Sequence, residues 1–294
     1  MSPDAALSAC HFLRNASTML LWGASAFIWL LMPIELARNI DYRLRAARMA
    51  ALGLAVATTL AVLPLLAGTF GEGWSDVLTP ATIRDVLFET NDGQAWQAQA
   101  GAAFLLLAAF LAPPPFRSKL TVIAAGLLLT TFALTGHAAM QNGWPGAAHR
   151  TNEAVHLLSS GAWLGALLPL LLTLKVFNDP AVREQAHVAL RRFSNVGHIA
   201  VLLAITSGLI NMMLIVGHWP VVWSSPYQAL LACKITLVTM MIGIAIVNRY
   251  VFTPRLARHP SSIVRAIRLG TMTEIALGLC AVVLVSIFAG MGPV

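Results

Sequence analysis

The stretch from Ile267 to Gly290, IRLGTMTEIALGLCAVVLVSIFAG, carries only two charged residues, Arg268 and Glu274. A helix rises about 1.5 Å per residue, so roughly 20 such residues cross the hydrocarbon core of a bilayer, which is about 30 Å thick. The run Ala281–Phe288 is continuously apolar apart from one serine, whereas a membrane β-strand would alternate apolar and polar residues. The stretch therefore predicts a transmembrane helix.

Composition extends this prediction to the whole chain of 294 residues. Hydrophobic residues make up 58% and charged residues 11%, against about 25% charged residues in a typical soluble domain. We predict an all-α, polytopic membrane bundle of about eight transmembrane helices. The predicted spans are 17–37, 48–68, 95–113, 119–140, 153–176, 193–216, 228–251 and 267–290. Because the loops are short and the sequence has no G-x-x-x-x-G-K-[ST] phosphate loop, we expect no ATPase or kinase module.

The basic residues are concentrated on one side of the predicted bundle. Cytoplasmic loops of membrane proteins carry an excess of Lys and Arg, so we expect this side to face the cytoplasm and both termini to lie on the external side. The net charge of +7 then reports topology and does not indicate a nucleic-acid partner. The residues on the basic side are Arg38, Arg43, Arg45, Arg48, Arg117, Lys119, Lys175, Arg183, Arg191, Arg192, Arg249, Arg255, Arg258, Arg265 and Arg268.

Three histidines are predicted near the external ends of the fourth and fifth spans. Met140 follows His137 by three residues and shares nearly the same helix face. His149 follows in the connecting loop, and His156 lies about 5 Å into the fifth span. Copper accepts imidazole and thioether ligands, so these four residues are a candidate copper site. The alternative for each histidine is a hydrogen bond to a carbonyl or headgroup. His11 is external and gives no such signal.

A second polar group is predicted nearer the cytoplasm. His198 and Glu274 lie about 10 Å and about 9 Å along their helices from basic residues at the inner surface, so they reach similar depths. The carboxylate could hold one imidazole nitrogen or relay a proton. Met212, Met240 and Met241 could pass Cu(I) inward between the two groups, although methionine is also a common flexible filler of apolar cores.

An ordered set of motifs runs through the fourth to eighth predicted helices. The motifs are Gly136-His137-Ala138-Ala139, His156-Leu157-Leu158, Gly161-Ala162-Trp163-Leu164-Gly165, Arg192-Phe193-Ser194, Ser207-Gly208-Leu209-Ile210-Asn211, Pro226-Tyr227-Gln228-Ala229-Leu230-Leu231 with Lys234, Asn248-Arg249 with Pro254, and Glu274. This set resembles the copper resistance D (CopD/PcoD) family of bacterial inner-membrane proteins. Gln228 departs from the family pattern, which usually has glycine after the tyrosine.

The resemblance implies a single integral-membrane domain that carries copper from the periplasm toward the cytoplasm and is not an enzyme. Helices four to eight, residues 117–294, hold the motifs, and 193–290 is most similar to the family; helices one to three, residues 1–116, match only in hydropathy and arrangement. A periplasmic copper-binding protein of the CopC type is the usual partner. The resemblance also implies family-motif roles, without a ligand function, for Trp163, Tyr227, Lys234 and Asn248.

Two other functions stay open at this point. His137 and His156 could supply the two facing imidazoles of a haem b site, which would make the protein an electron carrier that reduces external Cu(II). Alternatively, the chain could dock a copper chaperone and transport nothing. Copper, as Cu(I) or Cu(II), is the expected ligand, with haem b as the alternative.

Overall fold

The structure is a computed structural model and describes residues 2–177, 179–255 and 260–292. Within these residues the regular structure is entirely helical, so the predicted all-α membrane bundle is confirmed. Eight long helices and one short helix, α3, make up the bundle. Their bounds are α1 (Pro3–Ala26), α2 (Ile34–Phe70), α3 (Pro80–Glu89), α4 (Asn91–Leu111), α5 (Pro114–Thr131), α6 (Gly143–Val176), α7 (Arg183–Ile215), α8 (Pro226–Ile246) and α9 (Pro260–Phe288).

Helix α1 differs from the first predicted span. Of the described helices, α2 and α4–α9 are long and apolar enough to cross a membrane, whereas α1 is not among these seven. The predicted bounds of 17–37 are wrong at both ends, because α1 begins at Pro3 and a π-helical turn at Phe27–Leu31 follows it. Pro33 then separates this turn from α2, since proline lacks the N–H that a continuing helix requires.

Helix α1 nevertheless occupies the centre of the bundle and packs closely on α6. A Cβ atom added to Gly23 of α1 would collide with the backbone of Gly161 and Gly165 on α6. A Cβ atom on Gly165 would collide with the carbonyl of Met19. Glycines allow two helix backbones to approach this closely. The crossing brings the polar first half of α1 against the helix that carries His149 and His156.

The junction between α5 and α6 also differs from the prediction. The span predicted at 119–140 ends as an α-helix at Thr131, and two 3₁₀ turns follow. Gly136 and Gly143 have φ angles of 71° and 67°, which interrupt a right-handed helix and favour glycine. His137 therefore lies on a 3₁₀ turn and not on a helix face. Because α6 begins at Gly143, His149 lies in that helix and not in a loop.

Several helices extend well past the thickness of a bilayer. Helices α2, α6 and α7 contain 37, 34 and 33 residues, which corresponds to roughly 50–55 Å of helix each. The arginines predicted in the first basic loop, from Arg38 to Arg48, lie instead in the first turns of α2. The same holds for Arg191 and Arg192 in α7. Arg258 lies outside the described residues.

Candidate functional site

A cavity of about 650 Å³ lies where α1, α4, α6, α7, α8 and α9 meet the 3₁₀ turns after α5. Four histidine side chains line it: His11, His137, His149 and His156. The thioether of Met212, which is 4% exposed, lines the same cavity. Nitrogen and soft sulfur donors therefore converge on one space, and three of the histidines, His137, His149 and His156, are residues of the predicted copper site.

His149 is the most completely enclosed of these histidines. Its side chain is 1% exposed, and neither ring nitrogen has a hydrogen-bond partner among the described residues. A neutral imidazole has one N–H donor and one lone-pair acceptor, and buried polar atoms are normally paired. An unpaired buried ring beside a cavity is the arrangement expected of a group that binds something entering that cavity.

His137 presents one free nitrogen in the same way. Its Nδ1 lies 3.4 Å from the sulfur of Met140, while its Nε2 is buried without a partner in the described part of the chain. The ring packs edge-on against Tyr227 at a centroid distance of 5.2 Å. Burial, and secondarily the nearby charge of His149, lowers the pKa of His137 below its ordinary value. The ring is therefore neutral at pH 7 and keeps a lone pair for a metal.

His156 is held by α7 in an orientation that frees its second nitrogen. Its Nδ1 lies 3.0 Å from the carbonyl of Ala204 and 3.2 Å from the hydroxyl of Ser207. A carbonyl only accepts hydrogen bonds, so Nδ1 carries the proton and Nε2 keeps its lone pair. Metal-binding histidines are commonly oriented by such a bond from the other ring nitrogen.

A network of amides and charges ties α6, α7 and α8 together beside these histidines. Asn211 donates a hydrogen bond from Nδ2 to Oε2 of Glu153 over 2.5 Å. Asn152 donates to Oδ1 of Asn211 over 2.7 Å and to the carbonyl of Ser207 over 2.9 Å. Lys234 of α8 interacts electrostatically with Glu153. The network fixes the α7 backbone that orients His156.

The ligand atoms share a cavity without forming a ready-made metal cluster. In the residues that the structure describes, no three His, Cys, Asp or Glu side chains are close enough together to hold a metal ion. Met140 is 69% exposed and does not line the cavity; its sulfur contacts His137 across a 3₁₀ turn and not along the predicted helix face. A bound ion would therefore need to draw the rings toward one another.

Sequence reasoning missed the part of the cavity that α1 forms. His11, Arg14 and Asn15 all line it, together with Gln99 of α4. The three α1 residues precede the predicted first span, so the sequence places them outside the bilayer, whereas Gln99 lies within the predicted span 95–113 but carries no signal of a site. The available signal was the spacing of His11 and Arg14, which at i and i+3 share one face of a helix.

A second cavity, of about 380 Å³, lies between α6, α7, α8 and α9. It is lined by His198 and Glu274, as the sequence predicted, and also by Trp163 and Asn248. Glu274 is 3% exposed, accepts a hydrogen bond from Nδ2 of Asn248 over 2.9 Å, and is bonded by the side chain of Trp163. Two of the family-motif residues thus hold this buried acid.

His198 does not pair with Glu274, contrary to the predicted arrangement. Its Nδ1 lies 2.6 Å from the carbonyl of Ser194, and its Nε2 lies 3.1 Å from the hydroxyl of Tyr250. Both ring nitrogens are therefore occupied, the first as donor and the second as acceptor. Tyr250 was not predicted, because it follows α8 in a π-helical turn that no sequence pattern indicated.

The predicted methionine pathway is only partly internal. Met212 lines the larger cavity, and Met241 is 4% exposed and packs in the core of the bundle. Met240 is 55% exposed on the outer surface of α8. Adjacent helical residues point about 100° apart, so Met240 and Met241 face different surroundings. Of the three predicted methionines, Met212 and Met241 are positioned to meet an ion inside the bundle, and Met240 is not.

Comparison with known proteins finds similarity along most of the chain. Residues 1–147 match the family model for the N-terminal domain of copper resistance protein D-like proteins, and residues 187–288 match the model for copper resistance protein D. The first match includes residues 1–116, which hold the first three predicted helices. In the sequence analysis these helices resemble the family only in hydropathy and arrangement. No solved structure matches.

Three curated relatives are similar over most of this chain. Inner membrane protein YebZ of Escherichia coli is 32% identical over 286 residues, which cover 97% of each chain. Copper resistance protein D of Pseudomonas syringae pv. tomato is 31% identical over 94% of this chain and 92% of its own. Copper transport protein CutJ of Bacillus subtilis is 29% identical over 85% of this chain and 45% of its own.

Proposed function

The chain belongs to the copper resistance protein D family, and from that premise we propose that it is a copper homeostasis protein of the bacterial inner membrane that moves copper from the periplasm toward the cytoplasm. Two of its relatives are named for copper resistance and copper transport, and a third is named an inner membrane protein. The observation that supports the proposal best is the larger cavity, where His137 and His149 have buried ring nitrogens that no described residue pairs.

Copper is the substrate that this set of donors fits. His137 and His149 offer free nitrogens, and the bond from Nδ1 of His156 to α7 leaves its Nε2 available. Imidazole binds copper in both oxidation states, and the thioether of Met212 favours Cu(I). The copper enters as cargo, and Met140, on the exposed side of His137, is its first contact.

The ion assembles its own ligand set on entry. His137 lies on a short 3₁₀ turn, between Gly136 and Gly143, that can shift without breaking a helix. His149 and His156 are separated by seven residues on α6, so their rings lie within about 20° of one face. The two positions lie about 10.5 Å apart along the helix. Movement of the His137 turn therefore brings its ring beside that of His149, and Nε2 of His156 is the next nitrogen along the path of the ion.

From the larger cavity the copper moves inward past Met212 and Met241 to the second cavity. His198 and Glu274 line that space, and an arriving ion would replace the bonds that Ser194 and Tyr250 make to His198. The order of these cavities follows the predicted topology, with both termini in the periplasm and the basic ends of the helices in the cytoplasm.

The external acidic segment before α4 is the proposed docking site for a CopC-type copper-binding protein. The residues from Glu72 to Asp92 include five carboxylates, and Asp92 also lines the larger cavity. A partner bound here would release copper next to the histidines. The acidic residues of this segment would complement a basic face on that partner.

Cellular copper accumulation tests transport. Cells that express His149→Ala/His156→Ala at parental levels should accumulate less copper than cells that express the parent. His218→Ala is the matched control, because His218 is exposed on the loop after α7 and its Nδ1 bonds to the carbonyl of Trp219. Equal accumulation in the parent and the double variant would contradict transport by this route.

The absorption spectrum of the purified parent separates copper transport from electron transfer. We expect no Soret band, because the relatives are named for copper and membrane location and none for haem. A Soret band that disappears in His137→Ala/His156→Ala would instead establish the haem b alternative.

A further inference from the structure

A buried arginine lies at the α1 side of the larger cavity and forms no ion pair with any residue that the structure describes. Arg14 is 4% exposed, and its side chain donates from one terminal nitrogen to Oε1 of Gln99 over 2.6 Å. The plane of its guanidinium lies over the ring of Phe132, with 4.2 Å from Cζ to the ring centroid. In the part of the chain that the structure describes, no carboxylate lies within 4 Å of Arg14.

Three carboxylates line the cavity, but none of them forms an ion pair with Arg14 among the described residues. Glu153 accepts a hydrogen bond from Asn211 and interacts with Lys234. Asp4 and Asp92 line the cavity without forming an ion pair with Arg14. A charge buried in a membrane protein is costly unless a counter-charge accompanies it. Arg14 therefore has a positive charge that the described residues leave uncompensated.

Unpaired donors surround this charge. Nε of Arg14 and Nε2 of Gln99 are both buried and have no hydrogen-bond partner among the described residues. Gln99, which is 1% exposed, cannot turn its amide to hide Nε2, because Oε1 must face the guanidinium. Both side chains line the cavity, so both N–H groups are available to one occupant.

Asn15 adds a third polar group at the same place. It follows Arg14 on α1 and lines the cavity, and its Oδ1 is also buried without a hydrogen-bond partner in the described ranges. The two ends of an asparagine amide are assigned from their surroundings, so a half-turn of the amide would present Nδ2–H in place of the oxygen. The pocket would then have three donors and one positive charge.

We propose that Arg14, Gln99 and Asn15 form a binding site for a small inorganic anion such as chloride. Such an ion accepts hydrogen bonds from several directions and neutralises the guanidinium. Phe132 covers one face of Arg14, so the anion approaches from the edge that carries Nε. The site is distinct from the copper ligands, and chloride binding requires no copper.

Chloride binding is measured by the ³⁵Cl NMR line width of the detergent-purified full chain, with empty micelles as the blank. The parent should broaden the chloride line beyond the blank, and bromide should reverse the broadening by competition. Arg14→Gln should lose the broadening. Arg84→Gln, which removes an exposed arginine from α3, should retain it. A parent line width equal to the blank, or broadening retained in Arg14→Gln, would overturn the proposal.

Gln99→Glu keeps the test decisive if Arg14→Gln fails to fold. The new carboxylate lies against the guanidinium and replaces the anion while preserving side-chain shape. We expect this variant to lose the broadening. We also expect replacement of gluconate by chloride, at constant ionic strength, to raise the unfolding temperature of the parent but not of this variant. An equal rise in both proteins would overturn the proposal, even if copper binding is intact.

Discussion

The two cavities contain similar residue types but differ in how their polar atoms are bonded. In the larger cavity His137 has one ring nitrogen, and His149 has two, without a hydrogen-bond partner among the residues that the structure describes. In the smaller cavity both nitrogens of His198 are bonded, and Glu274 is held by Asn248 and Trp163. Unpaired nitrogens can bind an arriving ion at once, whereas paired ones must first exchange a bond. The larger cavity is thus suited to capture and the smaller one to later transfer.

The largest expected effect comes from removing two ligands in the larger cavity. His149→Ala/His156→Ala should weaken Cu(I) binding by about 100-fold or more, because loss of even an orienting partner costs about 10- to 100-fold. A competition titration against a chromophoric Cu(I) chelator measures the affinity. His198→Ala should leave it unchanged in the same titration. If His198→Ala weakens capture as much as the double variant, the distinction between the cavities fails.

Glu274 tests whether bonding in the smaller cavity is structural. Glu274→Leu should lower the free energy of unfolding by about 1–3 kcal/mol for each donor left unpaired, at Asn248 and Trp163. Glu274→Gln keeps an acceptor oxygen, so its free energy of unfolding should fall much less than that of Glu274→Leu. Reversible unfolding in mixed micelles measures both variants. Equal losses in the two variants would show that the acceptor oxygen contributes nothing.

Ser207 tests the orientation of His156 by α7. Ser207→Ala removes one of the two groups near Nδ1, but the carbonyl of Ala204 stays in place. Copper affinity should therefore fall by no more than about tenfold. The chelator titration measures this, with Thr206→Ala on the neighbouring, exposed position as the control. A loss as large as that of the double histidine variant would assign a direct role to the hydroxyl.

The smallest expected effect is a shift in pH dependence at His137. Protonation removes the lone pair that binds copper, so affinity falls as pH drops through the pKa of a ligand. Burial lowers the pKa of His137 from its usual value of about 6.5, so its contribution should persist to more acidic pH than that of an exposed histidine. Titrations at a series of pH values compare the parent with His137→Ala. A contribution already lost near neutral pH would contradict this.

Hydropathy predicted the long helices because lipid-exposed or buried spans need about 20 apolar residues in sequence. Hydropathy placed the first span wrongly at 17–37, because His11 and Arg14 lower the mean hydropathy of the first half of α1. That helix nevertheless packs centrally on α6. Hydropathy also failed at Gly136 and Gly143, because a positive φ angle is a property of backbone geometry that glycine permits but does not dictate.

The candidate site was predictable in composition but not in bonding. The positions of His137, His149 and His156 near the external ends of the fourth and fifth predicted spans place them close together, and all three line one cavity. Which ring nitrogen is free depends on groups far along the chain. Ala204 lies 48 residues from His156, and Tyr250 lies 52 residues from His198. No local pattern encodes these partners.

X-ray absorption at the copper edge of the Cu(I)-loaded, detergent-purified protein tests the central claim most directly. The account predicts imidazole scattering from the larger cavity in the parent and in His198→Ala. It predicts loss of that scattering in His137→Ala/His149→Ala/His156→Ala. Imidazole scattering that persists in the triple variant but disappears in His198→Ala would contradict capture in the larger cavity.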